Sequence, residues 1–201
     1  GQALTCLTAA VYYEAASEPI DGQRAVAQVV INRVRHPAFP RTICGVVFQG
    51  AERRTGCQFS FTCDGSLRRR PLPQSWLTAE AIAREALAGS VYNPVGLSTH
   101  YHANYVVPYW ASSLLKSAVV GRHIFYRWSG KWGGSGAFVQ RYADPEPFVD
   151  MLENGQNSPE DGAIPLDPSP GARTVLSLTG GSLRTAYGGD AIASAKGTDE
   201  P

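Results

Sequence analysis

Apolar residues recur at helical spacing in three stretches of the first half of the chain, and alternate with polar ones in two short runs after them. The first stretch carries Leu7, Ala10 and Val11 on one stripe and reads as a helix from about Leu4 to Ser17, ended because Pro19 pushes Glu18 out of the α region. Asp21 is placed to cap a second helix, GQRAVAQVVINRVRH, whose apolar face is Val26, Val29, Val30 and Val34. These adjoining stripes should pack together. Thr42 is placed to cap a short helix through ICGVVFQ, and a Gly-rich aromatic hairpin is expected around CQFSFTCDG. A third long helix, SWLTAEAIAREALAG, should bury Ala79, Ile82, Ala83, Ala86 and Leu87 and end at Gly89. In STHYHANYV, Thr99, Tyr101, Ala103 and Tyr105 alternate with His100, His102 and Asn104, and RHIFYRW alternates in the same way, so both read as strands.

Helices with a small sheet make an α+β domain, expected over residues 1–128. After Trp128 the composition turns to Gly, Pro, Ser, Asp and Asn. Its apolar clusters, Phe148 to Leu152 and Val175 to Leu178, sustain no stripe. Residues 129–201 therefore read as an irregular C-terminal tail or linker that could dock on a protein partner.

Charge removes one class of partner. A formal net charge of +1, with Lys and Arg scattered, offers no footprint for nucleic acid. No apolar run is long enough for a transmembrane segment, and the N-terminus lacks signal-peptide order, which reads as a mature or trimmed chain. The four cysteines fall in the first third of the chain. The short separation of Cys57 and Cys63 suits a disulfide closing a hairpin and leaves Cys6 for Cys44, which would place the protein outside the cytosol. Four buried thiols are the alternative.

The helical stripe of Leu7, Ala10 and Val11 arrives next at Glu14, so the first helix carries a carboxylate toward the interior or a cleft. Desolvation there raises the pKa, and a carboxyl that keeps its proton near neutral pH is what a general acid requires. The competing reading is an ion pair with Arg24 or Arg33 and no chemistry.

The run AVYYEAASEPIDGQRAVAQVVINRVRHPAFPRTICGVVFQ resembles the SleB-type cell-wall hydrolases, the family of the spore cortex-lytic enzymes. Their pattern is close to A-V-Y-x-E-A-R-G-E-P-x-x-G-Q-x-A-V-A-x-V-I-x-N-R followed by a P-x-F-P turn. The likeness continues through QFSFTCDG, THYHANYVVPYW and GRHIFYR, and covers about Leu4 to Trp128. It implies a mainly helical lysozyme- or lytic-transglycosylase-like catalytic domain that cleaves peptidoglycan glycan strands, with Glu14 as catalyst. Ala16 and Ser17 stand where the pattern often has Arg-Gly, so a contact of that arginine would be missing. The cysteines lie outside the spore-enzyme pattern and suggest a branch living with an oxidising periplasm; a periplasmic or secreted location is expected.

Cleaving the bond after N-acetylmuramic acid needs a proton donor and stabilisation of an oxocarbenium-like centre. Glu18, four residues from Glu14, reads better as a positioning group at the helix end, and Asp64 beside Gly65 reads equally as a turn residue or a substrate ligand. With neither convincing as nucleophile, a lytic transglycosylase using one Glu and no cofactor fits best. Tyr101, Tyr105 and Trp110 offer faces for sugar rings, with Asn104 and Gln58 as hydrogen-bonding partners, and Phe59 and Ser60 belong to an element resembling the family's F-[ST]; for each aromatic, core packing is the alternative. Two rival functions remain. His100 and His102 share a strand face and, with Asp64 or Glu14, could hold the zinc of an N-acetylmuramoyl-L-alanine amidase, although structural hydrogen bonding accounts for them more simply. The chain could also be a peptidoglycan-binding module without turnover.

Overall fold

Helix α1 (Gln2–Ala15) runs through the centre of the fold, in contact with three other helices: α2 (Ile20–Arg35), α3 (Ile43–Val47) and α4 (Pro73–Leu87). The structure, a computed structural model, describes residues 1–53 and 56–147. The expected stripe of α1 is buried, but so are Cys6, Thr8 and Ala9, because a central helix is enclosed on more than one face. Its alanines let neighbouring backbones approach closely. Val26, Val29, Val30 and Val34 of α2 join the same core, as their spacing predicts.

Pro19, not Asp21, precedes the first turn of α2. Its fixed φ suits a helix entrance, and Asp21 sits inside the first turn, 3.6 Å from Arg24, with no capping hydrogen bond from its side chain. Thr42 does cap α3, its hydroxyl accepting from Gly45 N at 3.1 Å. In α4, Ala79, Ile82 and Ala83 are buried while Leu87 lies exposed at the last turn, and Gly89 follows with a φ of +101°.

The hairpin expected around CQFSFTCDG is instead a pair of 3-10 turns, Ser60–Thr62 and Ser66–Arg68. The Thr62 hydroxyl and backbone N–H both bond to Phe59 O, at 2.8 and 3.1 Å, which closes a turn where a strand would have continued. Both expected disulfides are present, Cys57–Cys63 and Cys6–Cys44. The second ties α1 to α3 across 38 residues, a closure that stabilises by on the order of a few kcal/mol.

An antiparallel sheet has the order β1–β3–β2, with β1 at His100–Ala103, β2 at Leu115–Val120 and β3 at His123–Arg127. The unexpected strand, β2, is a largely exposed edge whose register slips between Lys116 and Ala118, so its sequence shows little alternation. Residues 129–147, expected to begin the tail, lie along the helical domain. The Trp132 ring packs 4.9 Å from His36, Gln140 Nε2 donates to Val34 O and Phe39 O at 2.9 and 3.0 Å, and the Glu146 carboxylate accepts from the N–H groups of Ile43 and Cys44, each at 2.8 Å. The clusters Phe148 to Leu152 and Val175 to Leu178 fall outside the described residues. Among the described residues no helix is long and apolar enough to cross a membrane.

Candidate active site

The C-terminal end of α1, the loop of 3-10 turns and the ends of β1 and β3 enclose a cleft of about 690 Å³. Glu14 lines it, keeping a partly accessible surface while its carboxyl group is surrounded by protein atoms. The Tyr101 hydroxyl donates to Glu14 Oε2 at 2.9 Å. Desolvation pushes the Glu14 carboxyl up to about 7, aided by the negative charge of Asp64 and opposed by the Tyr101 hydrogen bond and the charge of Arg33. Near neutrality Glu14 can therefore either give or take a proton.

The expected ion pair is not formed. Among the described residues no salt bridge joins Glu14 to Arg24 or Arg33; Arg24 faces Asp21 and Glu85, each at 3.6 Å. Arg33 is fully buried, its Nε donating to Thr99 O at 2.6 Å and its guanidinium 5.3 Å from the centres of the Phe39 and Phe59 rings. With its amide oxygen turned toward the guanidinium, Gln58 accepts from Nη1 at 2.8 Å and Nη2 at 3.2 Å. Desolvation lowers the Arg33 pKa to about 10, against the opposing influence of Tyr101 and Glu14. Gln58 and Phe59, expected to meet substrate, thus form the surroundings of a buried cation.

Ser60, Tyr101, Tyr105, Asp64 and Glu18 line the cleft with Glu14. Glu18 holds the β2–β3 turn: Oε2 accepts from Arg122 N at 2.9 Å and Oε1 from Arg122 Nε at 2.8 Å. Burial alone would raise its pKa, but these hydrogen bonds and the charges of His123 and Arg122 bring it below the ordinary value. Asp64 Oδ1 accepts from Ser66 N at 2.7 Å, closing a turn at the cleft edge. Asn104 is exposed just after β1, its backbone N–H bonded to Arg122 O at 2.7 Å.

Trp110, His100 and His102 lie away from the cleft. Strand alternation sends Tyr101 toward α1, so the two histidines face the other side of the sheet, where Trp110 and Tyr126 cover them. His100 Nδ1 meets Thr99 Oγ1 at 2.9 Å, and burial, with the charges of Arg33 and His36, holds its pKa down at about 3. His102 engages Ala103 O through Nδ1 and the Tyr126 hydroxyl through Nε2. Glu14 and Asp64 stand on the cleft side, and among the described residues no three His, Cys, Asp or Glu side chains converge on a common metal position.

Several lining residues escaped the sequence reading. Tyr13 stacks on Phe61 with centroids 4.8 Å apart, and the Tyr12 hydroxyl accepts from Leu72 N at 2.9 Å; both tyrosines adjoin Glu14 in YYE, which was the available signal. Arg69 and Arg70 belong to a run of arginines that whole-chain charge averages away. Arg122 and His123 enter from the β2–β3 turn, and His123 Nδ1 is buried without a hydrogen-bond partner among the described residues.

The sequence profile of the cell wall hydrolase family matches residues 17–126, more than half of the chain. The chain belongs to the cell wall hydrolase family. That match begins just past Glu14. Among curated relatives, the spore cortex-lytic enzyme of Oceanobacillus iheyensis is 33% identical over 119 residues, 58% of this chain and 38% of that protein. Its Bacillus subtilis counterpart is 30% identical over 122 residues, 59% of this chain and 35% of that protein. The chain thus matches well under half the length of these relatives. Among solved structures, the catalytic domain of the Bacillus cereus SleB protein superposes with a TM-score of 0.50 at 30% identity, covering 63% of this chain and 91% of that one. The catalytic domain of the germination-specific lytic transglycosylase SleB from Bacillus anthracis gives 0.51 at 30% identity, covering 62% and 93%. This cell wall hydrolase therefore shares the helix-rich fold with a small sheet that its sequence implied.

Proposed function

We propose that this cell wall hydrolase cleaves peptidoglycan glycan strands at the bond after N-acetylmuramic acid, as a lytic transglycosylase with Glu14 as its one catalytic carboxyl. The observation that carries the reading is the Glu14 carboxyl, enclosed at the cleft and poised at about 7. Likeness to a domain described as a germination-specific lytic transglycosylase points the same way. The protonated carboxyl gives its proton to the glycosidic oxygen as the C1–O bond breaks, and the sugar's own acetamido oxygen stabilises the cationic C1. The resulting Glu14 carboxylate then takes the proton of the 6-hydroxyl as that oxygen bonds to C1. The product is a 1,6-anhydro sugar, and Glu14 regains its proton.

The other cleft acids support this economy. Glu18 is occupied by Arg122 and Asp64 by Ser66 N, so neither is disposed as a nucleophile, whereas the 6-hydroxyl is already tethered to the reacting sugar. The two disulfides favour an oxidising location, the periplasm or the exterior. The tail beyond residue 147 is proposed as a segment for contact with a protein partner.

Mass spectrometry of muropeptides released from purified sacculi tests the reading. Wild-type protein should yield 1,6-anhydromuropeptides with or without EDTA, and Glu14→Gln should lower the rate about a hundredfold or more while leaving the circular dichroism unchanged. A reducing-end muramic acid, heavier by one water, would instead mean hydrolysis. Chelator-sensitive release of free stem peptide would make the protein a zinc amidase, and binding to sacculi without turnover would make it a binding module.

A further inference from the structure

One wall of the cleft carries arginines that the proposed chemistry leaves unused. Arg69 and Arg70 lie between the 3-10 turn Ser66–Arg68 and α4, and both line the cleft while remaining exposed to solvent. Arg69 Nη2 donates to Ser66 Oγ at 2.8 Å, and its charge reaches the Tyr13 phenol, on the residue next to Glu14. Among the described residues neither arginine forms an ion pair. No acid of the cleft is paired with either of them: Asp64 is engaged with Ser66 N and Glu18 with Arg122, and neither Asp64 nor Glu14 forms a salt bridge to Arg69 or Arg70 among the described residues. Two adjacent guanidiniums repel one another, and a bound anion relieves that repulsion.

In a stem-bearing strand the lactyl carboxyl of each muramic acid is tied up in the amide to the peptide, so the sugars themselves have no charge to offer the arginines. The anionic groups of peptidoglycan are the carboxylates of the stem peptide, which hangs from the lactyl group of muramic acid, the sugar whose C1 bond is broken. Building on the proposed cleavage, we propose that Arg69 and Arg70 bind stem-peptide carboxylates, so that peptide-bearing strands are preferred over strands without free carboxylates.

Three substrates test this: glycan strands with intact stems, strands stripped of stems by an amidase and then amidated at the lactyl carboxyls so freed, and strands whose stem carboxyls have been converted to amides. Wild-type protein should show the lowest KM on intact stems, with stripped and amidated strands about threefold higher or more, the scale of solvent-exposed charge contacts. The double variant Arg69→Gln, Arg70→Gln should bring the KM for intact stems to the stripped value, with the loss falling on KM rather than kcat. Arg69→Lys, Arg70→Lys should recover part of the preference, and raised salt should erase it. Equal KM for intact and amidated stems, or a preference that survives the double Gln variant, would overturn the inference. Binding of the same strands to Glu14→Gln protein should follow the same order and needs no turnover. Absent cleavage of all three substrates by wild-type protein would count against the proposed reaction, and the binding order would still decide the role of the arginines.

Discussion

The Tyr101 hydroxyl donates to Glu14 Oε2 across 2.9 Å, joining the last turn of the central helix to the inner face of β1. The two groups act on each other in opposite senses. The hydrogen bond favours the Glu14 carboxylate and so limits the rise that burial imposes, while burial and the nearby carboxylate drive the Tyr101 phenol well above its ordinary range, keeping it a donor at every working pH.

Replacing Tyr101 by Phe should therefore move the alkaline limb of the activity profile upward. Without the donor, desolvation acts on Glu14 unopposed by that bond, its pKa rises above about 7, and the acid form persists to higher pH. The maximal rate should fall, because in the proposed reaction a weaker acid gives its proton less readily to the glycosidic oxygen. A rate profile from pH 5 to 9 for both proteins checks this, and an unmoved alkaline limb would refute it.

Glu14 should also leave a mark on stability. Its carboxyl titrates at about 7 in the fold against 4.5 ordinarily, so the folded state holds the proton more tightly. The associated stabilisation is fully present below the ordinary value and is lost as pH rises through the folded one, by on the order of 3 kcal/mol. Glu14→Gln cannot titrate. Its melting temperature should exceed that of the wild type at pH 8, with the difference shrinking toward pH 4. Parallel melting curves would show that the carboxyl is not desolvated.

At the β2–β3 turn, Gly121 has a φ of +57°, and a Cβ there would strike the Glu18 carboxylate. Gly121→Ala should destabilise the protein by about 2 kcal/mol through strain and loss of the Arg122 contacts. Because the pKa of Glu18 is lowered, its stabilising contribution is present above the ordinary carboxylate range and is lost as pH falls through the folded value. The penalty of Gly121→Ala should accordingly shrink in acid. Urea unfolding at pH 7 and pH 3 measures both effects, and an equal penalty at the two values would mean that the Glu18 contacts contribute nothing.

The valine stripe of α2, the Ala79, Ile82 and Ala83 face of α4 and the arrival of Glu14 in the stripe of α1 were all legible, because helical periodicity is a property of neighbours along the chain. The alternation of Tyr101 with His100 and His102 was legible for the same reason. Which face of that strand met the cleft was not, since both faces are covered and only the packing of α1 on one side and Trp110 on the other assigns them. Gln58 reads as a sugar ligand until the fold brings it to the buried Arg33, and Arg69 and Arg70 read as solvated charge until the loop places them in the wall of the cleft that holds Glu14. Local spacing thus determined which residues share a face. The tertiary structure decided what each face meets and how strongly Glu14 holds its proton, because desolvation and electrostatic coupling are summed over groups such as Arg33, Asp64 and Tyr101, which only folding brings together.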